Sequence, residues 1–179
     1  MTLHAFIDES TRGQRYLICA VIIPAADVGA ARAALRSLLP RGQRRIHFAT
    51  ESEQRRRSLL KQMSTLDARS SIYVAEHRDQ VLARGAIVAS AAAHLHQEGV
   101  SRLVLEAREG QDHRDRAVIY QALGPDPAPP LAYTHETAAA EPLLWIPDAV
   151  AWAWGRGGDW RKRVEVLGLV GSVHEVNTG

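Results

Sequence analysis

Residues 3–23, LHAFIDESTRGQRYLICAVII, predict two β-strands joined by a short connection. The first strand covers Leu3 to Ser10, and the second, Tyr16 to Ile23, is apolar throughout. A continuous apolar run of this length is typical of a strand that is buried on both faces. The segment Thr11 to Arg15 contains a glycine and is suited to a hairpin turn. We therefore expect the two strands to pair antiparallel in the middle of one sheet.

The sequence after this hairpin alternates between helical and strand patterns. Helices are expected at residues 27–39, 51–66, 79–97, 112–124 and 143–154, and strands at residues 44–48, 71–76, 102–107 and 131–135. This order predicts an α/β chain with a mixed sheet, in which an antiparallel hairpin edge is joined to strands connected by crossover helices, flanked by helices on both faces. A single domain over residues 1–179 is expected, with no assignment for the interrupted apolar pattern of residues 164–179.

The composition is that of a soluble globular chain. Hydrophobic residues make up 46% of it, and no apolar run approaches the roughly 20 residues of a membrane helix. The first residues lack the features of a signal peptide, so we expect a cytoplasmic protein, in which Cys19 is a buried structural thiol. Only two of the 22 basic residues are lysines, Lys61 and Lys162. The arginine guanidinium suits phosphate, although biased coding composition explains such a preference equally well.

Several classes of enzyme leave no signature in the sequence. There is no phosphate-binding loop, no dinucleotide-binding fingerprint, no Gly-x-Ser-x-Gly turn and no cysteine cluster for zinc. His94 and His96 lie two residues apart on a predicted helix and therefore point in different directions.

Acidic residues stand where strands end or a helix begins. Asp8 ends the first strand, Glu106 ends a later apolar strand, and Asp148 begins a helix just after Pro147. Strand ends in α/β sheets border the crevice where ligands bind. Three carboxylates that converge there would need a cation to remain ionised together, and magnesium prefers such ligands. Taken singly, each is better explained as a solvated strand end, a turn residue or a charge at a helix N-terminus, and only the three together favour a functional site.

The chain resembles the family called domain of unknown function 3800. The matching segments are Phe6-Ile7-Asp8-Glu9-Ser10, Ile46-His47-Phe48 followed by Glu51-Ser52, Leu105-Glu106-Ala107-Arg108, and Glu141-Pro142-Leu143-Leu144-Trp145-Ile146-Pro147-Asp148-Ala149. The resemblance implies a ribonuclease-H-like fold and a metal-dependent nuclease with its acidic set at Asp8, Glu106 and Asp148. Where many members carry an acidic residue before the isoleucine-His-Phe stretch, this chain has Arg45, and Glu51 is a possible substitute.

A second departure from the family surrounds the final aspartate. Trp145 and Pro147 stand where many members carry Gln and Ala, which is expected to reshape the helix around Asp148.

We therefore predict a phosphodiester hydrolase that depends on Mg²⁺ or Mn²⁺ and acts on RNA or DNA. In this hypothesis Asp8, Glu106 and Asp148 hold the metal. His47 and Glu51 are further candidates for the catalytic centre, and the arginines predicted to contact phosphate are Arg108 and the Arg55–Arg57 run, chiefly Arg55.

The alternative is a non-catalytic domain that binds nucleic acid or protein on the same fold. The four tryptophans, Trp145, Trp152, Trp154 and Trp160, would then form a stacking surface, although core packing is the simpler explanation for Trp145 and Trp152. Binding of a divalent metal separates the two hypotheses, because only the enzyme requires it.

Overall fold

The computed structural model describes residues 1–76 and 78–178. The strands are β1 (Leu3–Arg12), β2 (Arg15–Pro24), β3 (Arg69–Glu76), β4 (Val100–Glu106), β5 (Ala132–Glu136) and β6 (Val170–Glu175). The helices are α1 (Val28–Ser37), α2 (Glu53–Met63), α3 (Gln80–Gln97), α4 (Asp112–Leu123), α5 (Trp145–Arg156) and α6 (Gly158–Val166). Short 3-10 helices cover Phe48–Thr50 and Pro142–Leu144. Among the described residues, no helix is both long enough and apolar enough to cross a membrane.

The strands form one mixed sheet in the order β5-β4-β1-β2-β3-β6. The antiparallel hairpin of β1 and β2 lies at its centre, as the apolar second strand predicts, and not at an edge. On one side β4 pairs parallel with β1, and β5 pairs parallel with β4. On the other side β3 pairs antiparallel with β2, and β6 pairs parallel with β3. The carboxyl ends of β1, β4 and β5 therefore meet at one edge of the sheet.

Helices cover both faces of the sheet, which gives two hydrophobic cores. Alternate residues of a strand point to opposite faces, so Phe6 packs with α1, α2, α5 and α6, while Ile7 packs with α3 and α4. Strand β2 contributes Leu17 to the first core and Ile18 to the second. Each such buried side chain stabilises the fold by about 1.5–3 kcal/mol, which explains why the second strand is apolar throughout.

The strand predicted at residues 44–48 does not form, and this prediction is wrong. Ile46 and Phe48 are buried, at 2% and 0% exposure, which explains why their spacing resembles a strand. The backbone of Phe48 instead bonds to side chains: its N–H donates to Asp148 Oδ2 at 3.0 Å, and its carbonyl accepts from Arg56 Nε at 2.9 Å. These hydrogen bonds satisfy backbone groups that a neighbouring strand would otherwise have to pair. The chain then continues into the 3-10 helix Phe48–Thr50.

The unassigned residues 164–179 contain regular structure. They include the end of α6 and the edge strand β6, which extends the sheet beyond β3.

Gly157 separates α5 from α6 with φ of +73°, a conformation that favours glycine. Asp79 caps α3, accepting from backbone N–H groups of its first turn. Asp112 lies within the first turn of α4 and accepts from the Arg108 N–H at 3.0 Å.

Candidate metal and nucleic-acid site

Two of the predicted acids come together because β1 and β4 are parallel. Their register pairs Ile7 with Leu105, so Asp8 and Glu106 follow at the same level of the sheet. Asp8 is only 6% exposed, and the Glu106 carboxyl is near enough to raise its pKa. The Asp8 Oδ1 also accepts from the Glu9 N–H at 2.7 Å. These contacts fix one buried carboxylate and one more open carboxylate side by side.

The third acid reaches the same place from a helix. Asp148 lies in the first turn of α5, and that helix packs against β1 and β2. Its Oδ2 accepts from the Phe48 N–H at 3.0 Å and lies 3.6 Å from His47 Nδ1. Proline at position 147 is tolerated because the first helical turn does not require that N–H. The loop that ends at Phe48 therefore orients Asp148 and brings His47 to the site.

These groups line one cleft of about 390 Å³ at the carboxyl ends of β1 and β4. Its walls include the three acids and three basic side chains: Asp8, Glu106, Asp148, Arg45, His47 and Arg108. Asp8, Glu106 and Asp148 thus line one cleft, and the expectation that they share a metal there stays a prediction.

Burial and mutual repulsion act on the carboxylates in this cleft. The pKa of Asp8 is raised well above its ordinary value, first by burial and then by its contact with Glu106 and by the charge of Asp148. Arg108 opposes this rise. Burial also raises the pKa of Asp148, against the opposing effects of the Phe48 N–H and of His47. The cleft therefore favours additional positive charge.

Two arginines supply part of that charge. Arg108 Nη2 lies 4.0 Å from Asp8 Oδ1 and 3.8 Å from Glu106 Oε2. Arg45 Nη1 lies 3.9 Å from Glu106 Oε1 on the open side. Both side chains are about half exposed, at 44% and 50%, and these separations are long for ion pairs. Neither guanidinium group therefore forms a short ion pair with Asp8 or Glu106.

Glu9 has a different environment from its neighbour Asp8, because successive strand residues face opposite sides. Its carboxylate forms ion pairs with Arg84 and Arg108. Arg84 is itself buried and pairs with Asp115 through two bonds of 3.0 and 2.8 Å. Its third bond, of 3.0 Å, goes to the Tyr16 hydroxyl. This network holds Arg108 at the cleft. It is not apparent from the sequence, because Arg84 lies near the start of an alanine-rich helix and its partners lie on other elements.

Two of the predicted site residues lie outside this cleft. Arg55 donates to the Leu38 carbonyl, and its Nε lies 3.7 Å from Glu51 Oε2. Neither Glu51 nor Arg55 is among the residues that line the cleft. In the rest of the arginine run, Arg56 bonds to the carbonyls of the 3-10 helix and Arg57 pairs with Glu53. These arginines chiefly stabilise α2 and the loop before it.

The donor set of the cleft fits a hard divalent cation in its chemistry. Carboxylate oxygens are the preferred ligands of Mg²⁺ and suit Mn²⁺, and the pKa of Asp8 and of Asp148 is raised chiefly by burial, which a bound cation would oppose. As the side chains lie, the described part of the chain contains no group of three His, Cys, Asp or Glu residues arranged to hold one ion. Coordination by all three acids would therefore require their side chains to reorient.

No protein-family model matches the chain, and no curated protein matches it in sequence. The family resemblance suggested by its motifs therefore stays a prediction. Among solved structures, the chain is similar to the structure of the PCNA:RNase HII complex from Archaeoglobus fulgidus. The TM-score is 0.56 at 14% identity, over 93% of this chain and 78% of that chain. At such low identity the similarity shows the fold alone: the chain is an α/β protein with a ribonuclease-H-like fold.

Proposed function

We propose that this protein is a metal-dependent phosphodiester hydrolase that acts on RNA or DNA in the cytoplasm. The observation that carries the proposal is the convergence of Asp8, Glu106 and Asp148 at one cleft. Burial and mutual repulsion raise the pKa of Asp8, so the arrangement is costly unless it serves a cation or a proton. Such strongly perturbed groups cluster at functional sites.

The side chains of the cleft have distinct proposed roles. Asp8, Glu106 and Asp148 would hold Mg²⁺ or Mn²⁺, which when bound supplies a Lewis acid and an activated water. Arg108 and Arg45 lie on the open side, where their guanidinium groups can bind a phosphate of the substrate. His47, held 3.6 Å from Asp148 and half exposed, can exchange a proton at the cleft.

One observation favours the alternative, a non-catalytic domain that binds nucleic acid or protein. The Arg108 guanidinium already lies near both Asp8 and Glu106, so it offsets part of their negative charge without an ion. In a binding module this pairing would persist. In the enzyme, metal binding would displace Arg108 from the two carboxylates.

A cleavage assay on labelled single-stranded and duplex RNA and DNA tests the proposal. With Mn²⁺ present, we expect the wild-type protein to cleave at least one of these substrates, and Asp8→Asn and Glu106→Gln to lower the rate at least 100-fold. Glu53→Gln is the matched control, because Glu53 is exposed on α2 and pairs with Arg57 on the same helix. Cleavage by Asp8→Asn at the wild-type rate contradicts the proposal, as does the absence of cleavage of all four substrates.

A further inference from the structure

A second depression continues the cleft along β1. It has a volume of about 270 Å³ and is lined by residues 9–12 of β1 together with Trp152. Glu9, His47, Arg108 and Asp148 line both hollows, so the two form one continuous groove. A chain-like ligand with its reacting group at the acids would extend into this second hollow.

Arg12 provides a positive charge in this hollow. Its guanidinium lies 5.7 Å from the centroid of the Trp152 ring. Among the described residues, no carboxylate lies within ion-pair distance of it, whereas the nearby Arg15 pairs with Glu76 at 2.9 Å. Asp8 and Arg12 face the same side of β1, because they are four residues apart. That separation is about 13 Å along the strand, so Arg12 would contact a nucleotide next to the one at the acids.

Trp152 provides a rigid aromatic surface beside this charge. It follows Asp148 by one helical turn, so both project from the same face of α5. Edge-to-face contacts with Phe48 at 5.4 Å and Trp160 at 5.5 Å fix the indole. The Arg56 guanidinium, 4.3 Å from the ring centroid, is itself bonded to backbone carbonyls. The indole therefore has little freedom, whereas the exposed Arg12 side chain can move onto a ligand.

We propose that Arg12 and Trp152 form a subsite for an unpaired nucleotide adjacent to the scissile bond. This inference rests on the proposed function and deepens it, because it makes the substrate single-stranded at that position. An arginine without a carboxylate partner complements the phosphate, and a fixed aromatic ring offers a stacking surface to an unpaired base. A base within a duplex is already stacked and paired and cannot use this surface.

Binding of a fluorescent 12-nucleotide strand, measured in EDTA so that no cleavage occurs, tests the subsite. We expect Arg12→Gln and Trp152→Leu each to raise Kd for a single strand about tenfold, and Arg12→Gln to reduce the slope of log Kd against log salt by about one. Arg15→Gln is the control, since Arg15 lies outside the groove. A duplex of the same sequence should bind more weakly and be less affected by both substitutions.

The two proposals fail in different ways. If the wild-type protein binds the single strand in this manner but cleaves nothing with Mn²⁺, the hydrolase proposal fails and the subsite stands. If Kd for the single strand is the same in Arg12→Gln as in wild type, the subsite is wrong, whatever the cleavage assay shows. Equal losses of duplex and single-strand binding overturn the assignment of an unpaired nucleotide. Because Arg12 is exposed, Arg12→Gln should fold even if Trp152→Leu does not.

Discussion

Replacing Asp8 with Asn should stabilise the protein at pH 8 in the absence of metal. The amide oxygen of Asn can still accept the Glu9 N–H, which now donates to Asp8 Oδ1 at 2.7 Å. The substitution removes a buried charge that lies beside Glu106 and Asp148. We therefore expect the Asp8→Asn protein to lose the proposed metal-dependent cleavage but to keep the fold.

The magnitude follows from the opposing contributions. Each unit by which burial and repulsion raise the pKa of Asp8 corresponds to about 1.4 kcal/mol of destabilisation when the group is ionised. The lost attraction to Arg108, 4.0 Å away and 44% exposed, is worth less than about 1 kcal/mol. The stabilisation from removing the buried charge therefore exceeds the lost attraction to Arg108. For a domain of this size, 1 kcal/mol shifts Tm by roughly 2–4 °C, so we expect Tm to rise by about 3 °C or more.

The pH dependence has a definite sign. A carboxyl with a raised folded-state pKa contributes stability below its unfolded value, and that stability is lost as the pH rises through the folded value. Wild type should therefore lose stability relative to Asp8→Asn between acidic pH and pH 8, and the difference should shrink as the pH approaches 4. Thermal melts in EDTA over this range measure it.

Glu9→Gln is the matched control for the neighbouring position, with the opposite expected result. Glu9 is held by ion pairs with Arg84 and Arg108, so its neutralisation should cost about 1.5–3 kcal/mol at pH 8. An Asp8→Asn protein that is less stable than wild type at pH 8, or a difference that does not vary with pH, refutes the reasoning about the acidic cleft.

Three further predictions concern the fold. Arg84→Met should destabilise the protein by about 3–5 kcal/mol in urea unfolding, because it removes the buried guanidinium that the carboxylates of Glu9 and Asp115 share, whereas Arg15→Met at an exposed pair should cost less than about 1 kcal/mol; similar costs for the two contradict the buried network. Trp145→Phe should cost about 1–3 kcal/mol, since the Ala138 carbonyl loses its 2.6 Å bond from the indole N–H, and an unchanged unfolding midpoint contradicts this. Burial raises the pKa of the Cys19 thiol, so a thiol reagent at pH 8 should modify it only upon unfolding; rapid labelling of the native protein would show that the thiol is accessible.

Much of the fold is predictable because its central strands carry an unambiguous pattern. The apolar run of β2 indicates burial on both faces, and Tyr16 to Ile23 is indeed buried there. The segment containing Ile46 and Phe48 misleads for the same reason: its burial alternates, but the backbone of Phe48 bonds to side chains of α2 and α5, and the α5 partner, Asp148, is 100 residues away in sequence. Strand β6 is missed because it is an edge strand whose residues alternate between partly buried and exposed.

The candidate site is predictable where strand order determines it. Asp8 and Glu106 meet because parallel strands bring their carboxyl ends to one edge, which the sequence pattern suffices to suggest. The arginine run around Arg55 is not interpretable from sequence in this way, since its bonds go to loop carbonyls and to Glu51. The ion pair of Arg108 with the buried carboxylate of Glu9 is also not apparent from the sequence, which suggests only that Arg108 could contact phosphate.

The most direct test of the acidic centre is a crystal structure of the protein soaked with Mn²⁺, with anomalous scattering used to locate the ion. We predict a peak in the cleft, bound by carboxylate oxygens of Asp8, Glu106 and Asp148, with Arg108 displaced from the first two. A Mn²⁺-soaked crystal with no peak at these carboxylates, and with Arg108 still beside Asp8 and Glu106, would contradict the proposed metal centre.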